Sequence, residues 1–381
     1  MPPQVDADIL IIGAGIAGLT AAAKLRDVGV TVEIIDRAES LRTTGAGLVL
    51  HPNALAHLRF LEPKLFTAGR LIDQHLIIDP DGESTVVDWR AVWPAGQVPL
   101  AIHRLELAKL MVAYLLPMTV RWSTAPYALT ESRSCVTVVF RDGRSGRYRL
   151  VVGADGSHSW TRRVVDECAV LRKTSSVFWR TTVPAYPPFD FPEWRVWRGK
   201  TRMFGAMPIG SGLAHLFLGR VEETNGRSLS NHRDELVGLA AELDGLTELL
   251  ADVRFDEDGK GRRSLALAVS RWVRGRVALV GDAAHVVPPA TTQGGALAIE
   301  DASVLADEVA RHGSVPEALR AFERRRHRRV AEFERLARLY VSLMQGLQAN
   351  HPVLRFHRGT LVPRDGSPWF RRLYEPLLPA A

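Results

Sequence analysis

Cysteine is nearly absent: the 381 residues carry two, Cys135 and Cys168. Two thiols make no disulfide framework and neither sits in a metal-type spacing, so both are expected to be reduced side chains of a cytoplasmic protein. No run of about 18 apolar residues occurs, which excludes a membrane-spanning helix. The opening Met1-Pro2-Pro3-Gln4-Val5-Asp6 lacks the charged-then-apolar build of a signal peptide. Repeats of about 20–50 residues, low-complexity tracts and the HExxH and CxxC signatures are missing as well, so no metal is expected. Lysine is scarce, six residues against 43 arginines, within a formal charge of +7. That excess admits nucleic acid as an acidic partner unless the motifs find other work for the arginines.

Apolar residues make up 46% of the chain and charged residues 24%, ordinary values for a globular protein. The length exceeds the roughly 250–300 residues at which one core stops growing, so two domains are expected. The N-terminal stretch reads strand, turn, helix, strand. Asp8-Ile9-Leu10-Ile11-Ile12 is a continuous apolar run of the kind buried parallel strands carry. Leu19 to Val28 continues as helix, and Thr31 to Ile35 gives a second strand ending in Asp36. Between strand and helix lies Gly13-Ala14-Gly15-Ile16-Ala17-Gly18. The first glycine allows a tight turn, the second lets the backbone approach a pyrophosphate, and the third lets helix and strand pack closely. The helix start adds free N–H groups and about half a positive charge. Asp36 stands where an acid accepts hydrogen bonds from a ribose, so the stretch reads as a dinucleotide site, for NAD or FAD.

Helical patterns recur at Pro52–Leu61, Leu105–Leu116, Gly294–Arg311 and Pro316–Gln348. Elsewhere the texture is period-2 and turn-rich, over Leu71–Ile78, Thr85–Trp89, Val136–Phe140, Tyr148–Val152, Ser176–Pro184, Arg195–Met207 and Leu213–Val221. Such strands, interposed in a nucleotide-binding framework, predict an interleaved second domain with a mostly antiparallel sheet. Two further motifs follow. Val151-Val152-Gly153-Ala154-Asp155-Gly156-Ser157 is a strand running into Asp-Gly, with a helix after it. Leu279-Val280-Gly281-Asp282-Ala283-Ala284-His285 leads through Pro288-Pro289 to Gln293-Gly294-Gly295-Ala296.

With these three motifs in order over residues 9–302, the chain resembles the class A flavoprotein monooxygenases, the para-hydroxybenzoate hydroxylase-like family. Within it the salicylate, urate and zeaxanthin-epoxidase-like branch is the most similar. Gly45-Ala46-Gly47-Leu48, Pro52-Asn53-Ala54 and Ile102-His103-Arg104-Leu105 add to the likeness. The resemblance implies an α/β fold: a Rossmann-type FAD-binding domain with an interleaved, mostly antiparallel β-sheet substrate domain and C-terminal helices. The expected division is 1–70, 101–175 and 271–350 for FAD, 71–100 and 176–270 for substrate, and 351–381 as a C-terminal tail. It also implies FAD as cofactor, NAD(P)H as co-substrate, and oxygen transfer from O2 through a flavin hydroperoxide to an aromatic or other electron-rich small molecule.

Residue by residue, the resemblance gives the ADP half of FAD to Gly13, Gly15, Ile16, Ala17, Gly18 and Asp36, with Arg37 near the adenosine. Arg104 matches a cofactor-contacting arginine, with Ala46 and Gly47 in a supporting stretch, and Asp155 and Gly156 match a motif tied to both FAD and the nicotinamide. Asp282 matches an aspartate on the ribityl chain and Pro289 a proline beside the isoalloxazine. Gly294, Gly295 and Ala296 open a helix whose partial positive charge would face the flavin pyrimidine edge. Two departures stand out: Asp36 replaces the commoner glutamate, and Thr292 replaces the first glycine of the usual Gly-Gln-Gly. Either loosened FAD retention or restricted flavin movement is the expected consequence at Thr292.

On the substrate side, His215 is the one ionisable side chain in the apolar strand Leu213-Ala214-His215-Leu216-Phe217. It is a candidate to hydrogen-bond or deprotonate a phenol, beside Phe217 on the same strand face. Arg202 is a candidate to hold an anionic group, and Trp179 to stack on an aromatic ring. His285 is expected to be structural. A flavin-dependent halogenase lacks its Trp-x-Trp-x-x-Ile-Pro signature here, and a reductase of the same fold would consume no oxygen. The arginines at 320, 324, 325, 326, 328 and 329 surround one helix with glutamates between them. They read as a solvated face, so no nucleic-acid partner is expected.

Overall fold

The computed structural model describes residues 5–41, 46–80, 82–199, 202–221, 232–242, 246, 253, 261–344 and 365–377. The apolar run after Asp6 becomes β1 (Ala7–Ile12), flanked in parallel by β2 (Val32–Ile35) on one side and β11 (Ser145–Gly153) on the other. Also in parallel, β8 (Val120–Arg121) extends the sheet beyond β2 and β18 (Val277–Leu279) beyond β11. Strand β17 (Val273–Arg274) closes that edge, and the hairpin of β9 (Pro126–Glu131) and β10 (Val136–Phe140) pairs antiparallel with the first half of β11. The chain leaves β1 toward β2 and comes back on its other side at β11. The crevice at the carboxyl end of β1 is therefore a switch point, where ligands of open parallel sheets collect.

A second sheet runs in the order β16 (Arg262–Ala268), β12 (Val170–Pro184), β15 (Leu213–Val221), β14 (Arg202–Pro208), β13 (Trp194–Arg198), β5 (Gln74–Ile78) and β6 (Ser84–Asp88). Its pairings are antiparallel except for β13 with β5. A small antiparallel sheet of β3 (Gly47–Leu50), β7 (Leu100–His103) and β4 (Arg70–Leu71) touches both larger units.

The helices are α1 (Ile16–Asp27), α2 (Pro52–Leu55), α3 (Lys64–Ala68), α4 (Trp89–Val92), α5 (Arg104–Leu115), α6 (Trp160–Val165), α7 (His232–Glu242), α8 (Gly294–Arg311), α9 (Val315–Met344) and α10 (Ser367–Tyr374). Helices α1 and α8 pack together and are rich in small buried residues, among them Ala21, Ala22, Ala298 and Ala302. Small side chains bring the two helix starts close, and both starts open on the same crevice.

Local departures from the sequence pattern have local causes. The helix expected over Pro52–Leu61 is α2 followed by a separate tight turn, Arg59–Leu61; the spacing of three between Leu58 and Leu61 suits that turn and buries both side chains. Trp89 does not end a strand but starts α4, because the Asp88 carboxylate accepts the Arg90 N–H at 2.9 Å as a cap. Within the expected tail, residues 365–377 fold: α10 buries Phe370, Leu373 and Tyr374, and Ser367 Oγ accepts the Asp88 N–H at 2.9 Å. Gly45 and residues 351–364, also named above, lie outside the described residues.

Candidate active site

The glycine turn after β1 is built as its three glycines require. Gly13 has φ +112°, and a Cβ there would fall 2.4 Å from the Ala154 carbonyl oxygen. At Gly18 a Cβ would fall 1.8 Å from the Gly13 carbonyl oxygen, so only glycine lets α1 sit this close to the turn. Gly15 is different: a Cβ there would meet nothing within 4 Å. The outer two glycines serve packing, and the middle one faces open space at the uncapped start of α1, whose next residues are Ile16 and Ala17. Asp36, half-buried at the end of β2, accepts the Ala14 N–H at 2.7 Å and the Ala38 N–H at 2.8 Å, one on each carboxylate oxygen. Each oxygen keeps a further lone pair. Arg37 beside it is exposed.

Two more loops meet this turn. Ala154 N–H donates to the Ile12 carbonyl at 2.8 Å, and Val280 N–H to the Gly153 carbonyl at 3.0 Å. The Asp155 carboxylate takes hydrogen bonds from the Trp160 and Thr161 N–H groups (2.7 and 3.0 Å), from the Thr161 hydroxyl and from Ser159. It therefore ties the loop to the start of α6, while Gly156, at φ +79°, stays open to solvent. Arg162, not singled out from the sequence, is buried and fastens this loop to the third one. Its guanidinium donates to the carbonyls of Ser157, Asp282 (3.3 Å) and Ala283 (3.2 Å). The convergence is tertiary, so only an arginine standing just after an Asp-Gly turn hinted at it.

Asp282 is exposed, in the turn just after β18. Crowding by the surrounding protein raises its carboxyl above the usual carboxylate range, against the lowering pull of His285, Arg104 and Arg162. Arg104, exposed at the start of α5, is thus near enough to Asp282 to act on its charge; its backbone N–H reaches the Ala46 carbonyl at 3.3 Å, beside Gly47. Pro289 opens the tight turn Pro289–Thr291, and Thr292 follows in the left-handed region at φ +53°. Gly294, Gly295 and Ala296 then begin α8; a Cβ at Gly295 would lie 2.9 Å from Leu48 Cδ1. Thr292 Oγ1 lies 2.8 Å from His51 Nε2.

Behind the crevice lies a network of buried charge. Asp301 accepts from Gly281 N–H (2.8 Å), His285 Nε2 (2.7 Å) and Arg326 Nε (2.7 Å). Glu300 accepts from Arg326, Arg329 and Asn53 at 2.6 to 2.9 Å. This corrects the reading of the arginine run as a solvated face: Arg326 is 1% exposed, because two carboxylates of α8 stand opposite it, whereas Arg320, Arg324, Arg325 and Arg328 are exposed.

Across the crevice stands the second sheet. Cross-strand partners share a face, so the pairs Thr182–His215, Arg180–Phe217 and Gly205–Phe217 define one surface. His215 on it packs against β3, its Cβ only 2.6 Å from where a Cβ of Gly47 would be. A Cβ at Gly205 would strike the Phe217 ring at 2.1 Å, so the glycine leaves room for that ring. His215 Nδ1 lies 3.1 Å from the Thr181 carbonyl. A carbonyl only accepts, so Nδ1 carries the proton and Nε2 keeps a lone pair. Burial, with help from Arg180, pushes the ring down to about 3, leaving it neutral.

Two expected residues do not join this surface. Trp179 pairs with Leu218 and is fully buried on the opposite face, among Val177, Phe204, Leu216 and Leu239 of α7. Arg202 pairs with Arg220 on that same far face, where Arg202 Nε donates to Glu235 at 2.9 Å and Arg220 Nη1 at 2.7 Å. Both are corrected to structural positions beneath α7. Strand parity decides this: they alternate with the residues that face the crevice. Other tryptophans are core as well. Trp89, Trp93 and Trp194 are buried in a cluster with His75, Phe370 and Tyr374, in which the His75 and Trp194 rings stack at 4.1 Å.

Open space at Gly15, an uncapped helix start, and carboxylates at Asp36 and Asp282 suit an elongated dinucleotide, which the crevice fits on these grounds. Comparison with known proteins agrees. Residues 6–337 match a protein family described as an FAD binding domain. Over 364 residues the chain is 31% identical to 3-amino-4-hydroxybenzoate 2-monooxygenase of Streptomyces cremeus, covering 88% of this chain and 87% of that protein. It is 29% identical over 358 residues to the FAD-dependent urate hydroxylase of Klebsiella pneumoniae subsp. pneumoniae, with 88% and 90% covered. The crystal structure of Klebsiella pneumoniae HpxO complexed with FAD and uric acid matches with a TM-score of 0.85 at 26% identity, over 97% of this chain and 96% of that one.

Proposed function

The chain belongs to the FAD-binding-domain family as an FAD-dependent monooxygenase of class A, and from that premise we propose that it hydroxylates a small aromatic compound that already bears a hydroxyl or enol group, using O2 and NAD(P)H. The observation that carries this reading is His215: a neutral imidazole with its lone pair on Nε2, on the face of the second sheet that meets the FAD region at Gly47. Such a nitrogen accepts a hydrogen bond from a substrate hydroxyl and orients the ring, and Phe217 supplies an apolar wall beside it. In the same reading residues 1–70, 101–175 and 271–350 carry the cofactor, and 71–100 and 176–270 face the substrate.

Gly15 and the N–H groups at the start of α1 would take the pyrophosphate, and the remaining lone pairs of Asp36 the ribose. Asp282 would hold the ribityl chain, and Pro289 with the N-terminus of α8 would border the isoalloxazine. Bound and reduced, FAD supplies the activation of O2 that the protein's own side chains lack. The protein's part is to hold the ring, to set positive helix potential against its pyrimidine edge, and to wall the crevice against water.

The test is a panel of hydroxylated arenes and heterocycles scored for stimulated NAD(P)H oxidation, with mass analysis of the product. A product heavier by one oxygen atom is expected. Halogen incorporation, or substrate reduction without oxygen uptake, would replace the reading by a halogenase or a reductase of the same fold.

A further inference from the structure

A β-branched residue rarely holds a left-handed backbone, because its Cβ substituents crowd the neighbouring peptide. Thr292 does so at φ +53°, ψ +17°, at the last step before the turn into α8. Its surroundings are arranged to keep it there. The Thr292 hydroxyl donates to the Thr291 carbonyl at 2.8 Å, which leaves its oxygen to accept from His51 Nε2 at 2.8 Å. His51 is fully buried, and burial, with the nearby His75, pushes its ring down to about 3, so it is neutral; with the Thr292 proton given to the Thr291 carbonyl, the tautomer that completes the contact carries its proton on Nε2. From the other side Tyr374 of α10 donates its hydroxyl to the same Thr291 carbonyl at 2.9 Å, and the His51 and Tyr374 rings lie 5.0 Å apart.

We propose that His51, Thr292 and Tyr374 form a latch that fixes the turn before α8 in one conformation, and through it the position of the helix N-terminus against the flavin. Glycine at position 292 would reach this backbone conformation freely and could also leave it. Threonine reaches it only while its hydroxyl is engaged, so the latch replaces freedom with a single held state. All three are positioning residues: they act on bound FAD through the backbone of Thr291 to Gly295. The inference rests on the FAD reading above.

The test is a set of variants read by FAD dissociation constant, from flavin fluorescence quenching, and by the midpoint potential of the bound flavin. Thr292→Val keeps the shape and loses the hydroxyl, and His51→Leu loses the donor. Each is expected to weaken FAD binding about 5-fold or more and to shift the potential in the same direction, and the two together should be no worse than either alone. His51→Gln, whose amide places a donor near the same point, should restore most of the loss. In the Thr292→Gly background, His51→Leu should change affinity by less than about 2-fold. Equal losses from His51→Leu in both backgrounds, or a Thr292→Val protein that behaves as wild type, would overturn the latch. A wild-type chain that takes up no FAD would instead overturn the cofactor reading. The latch is then judged on the melting temperature of the cofactor-free protein, where the same variants give non-additive losses if the latch exists and additive ones if it does not.

Discussion

His285 Nε2 lies 2.7 Å from the Asp301 Oδ2 in the interior, and both side chains are almost fully buried. Burial alone would lower the histidine and raise the aspartate. The pair reverses both: the Asp301 charge holds His285 above its ordinary value, and His285 with Arg326 holds Asp301 below the usual carboxylate range. The third-motif turn hangs on this pair, because Gly281 N–H donates to the same Asp301 oxygen.

A pH dependence of stability follows. The raised His285 contributes fully below the unfolded histidine value of about 6.5 and its contribution fades as pH climbs through its higher folded value. The lowered Asp301 contributes fully above about 4 and its share disappears as pH falls through its lower folded value. Stability should therefore peak between about pH 4 and 6.5 as far as this pair decides it. Asp301→Asn should cost about 3–5 kcal/mol, as expected when one partner of a buried charge pair is removed. Urea unfolding across pH checks both, and a variant as stable as wild type at pH 5.5 would refute the assignment.

Gly15 and Gly18 should separate binding from folding. Gly15→Ala adds a methyl in open space, so the cofactor-free melting temperature should hold while FAD affinity drops about 10-fold or more. Gly18→Ala drives a Cβ into the Gly13 carbonyl and should lower the melting temperature before any cofactor is added. Two melting curves and two FAD titrations decide the matter.

Asp282→Ala should weaken FAD binding by about 10- to 100-fold, the worth of one lost hydrogen bond to a charged acceptor. Flavin fluorescence titration measures it; an unchanged dissociation constant would remove Asp282 from the ribityl role.

His215→Leu should lower kcat/KM for a hydroxylated substrate by about 10- to 100-fold, since an unmet hydroxyl costs about 1–3 kcal/mol. FAD affinity should stay within about 2-fold. Arg202→Gln, on the far face, should leave kcat/KM untouched and cost only about 1 kcal/mol of stability, because Arg220 still pairs with Glu235. A variant Arg202→Gln that loses substrate affinity would return that arginine to the pocket.

How much of this was legible in the sequence depended on the distance over which each feature is determined. The turn between β1 and α1 follows from three glycines and their neighbours, so its geometry could be read directly. Thr292 could be flagged as a departure, but its partner His51 lies 241 residues earlier in the chain. Trp179 and Arg202 were misplaced for a subtler reason. Alternation says which residues share a face, not which face α7 will cover, and that depends on a helix packed from elsewhere. Arg326 looks solvated on its own helix; only the packing of α9 on α8 sets Glu300 and Asp301 before it.

The Tyr374 hydroxyl on the Thr291 carbonyl and the Arg329 guanidinium on the Leu377 carbonyl tie α10 and the turn after it to the rest of the molecule. The turn between β1 and α1 is shaped by its own glycines, whereas the Pro289–Thr291 turn leans on a side chain 83 residues further along the chain. Cutting away α10 would therefore leave the first turn standing and remove the support from behind the second.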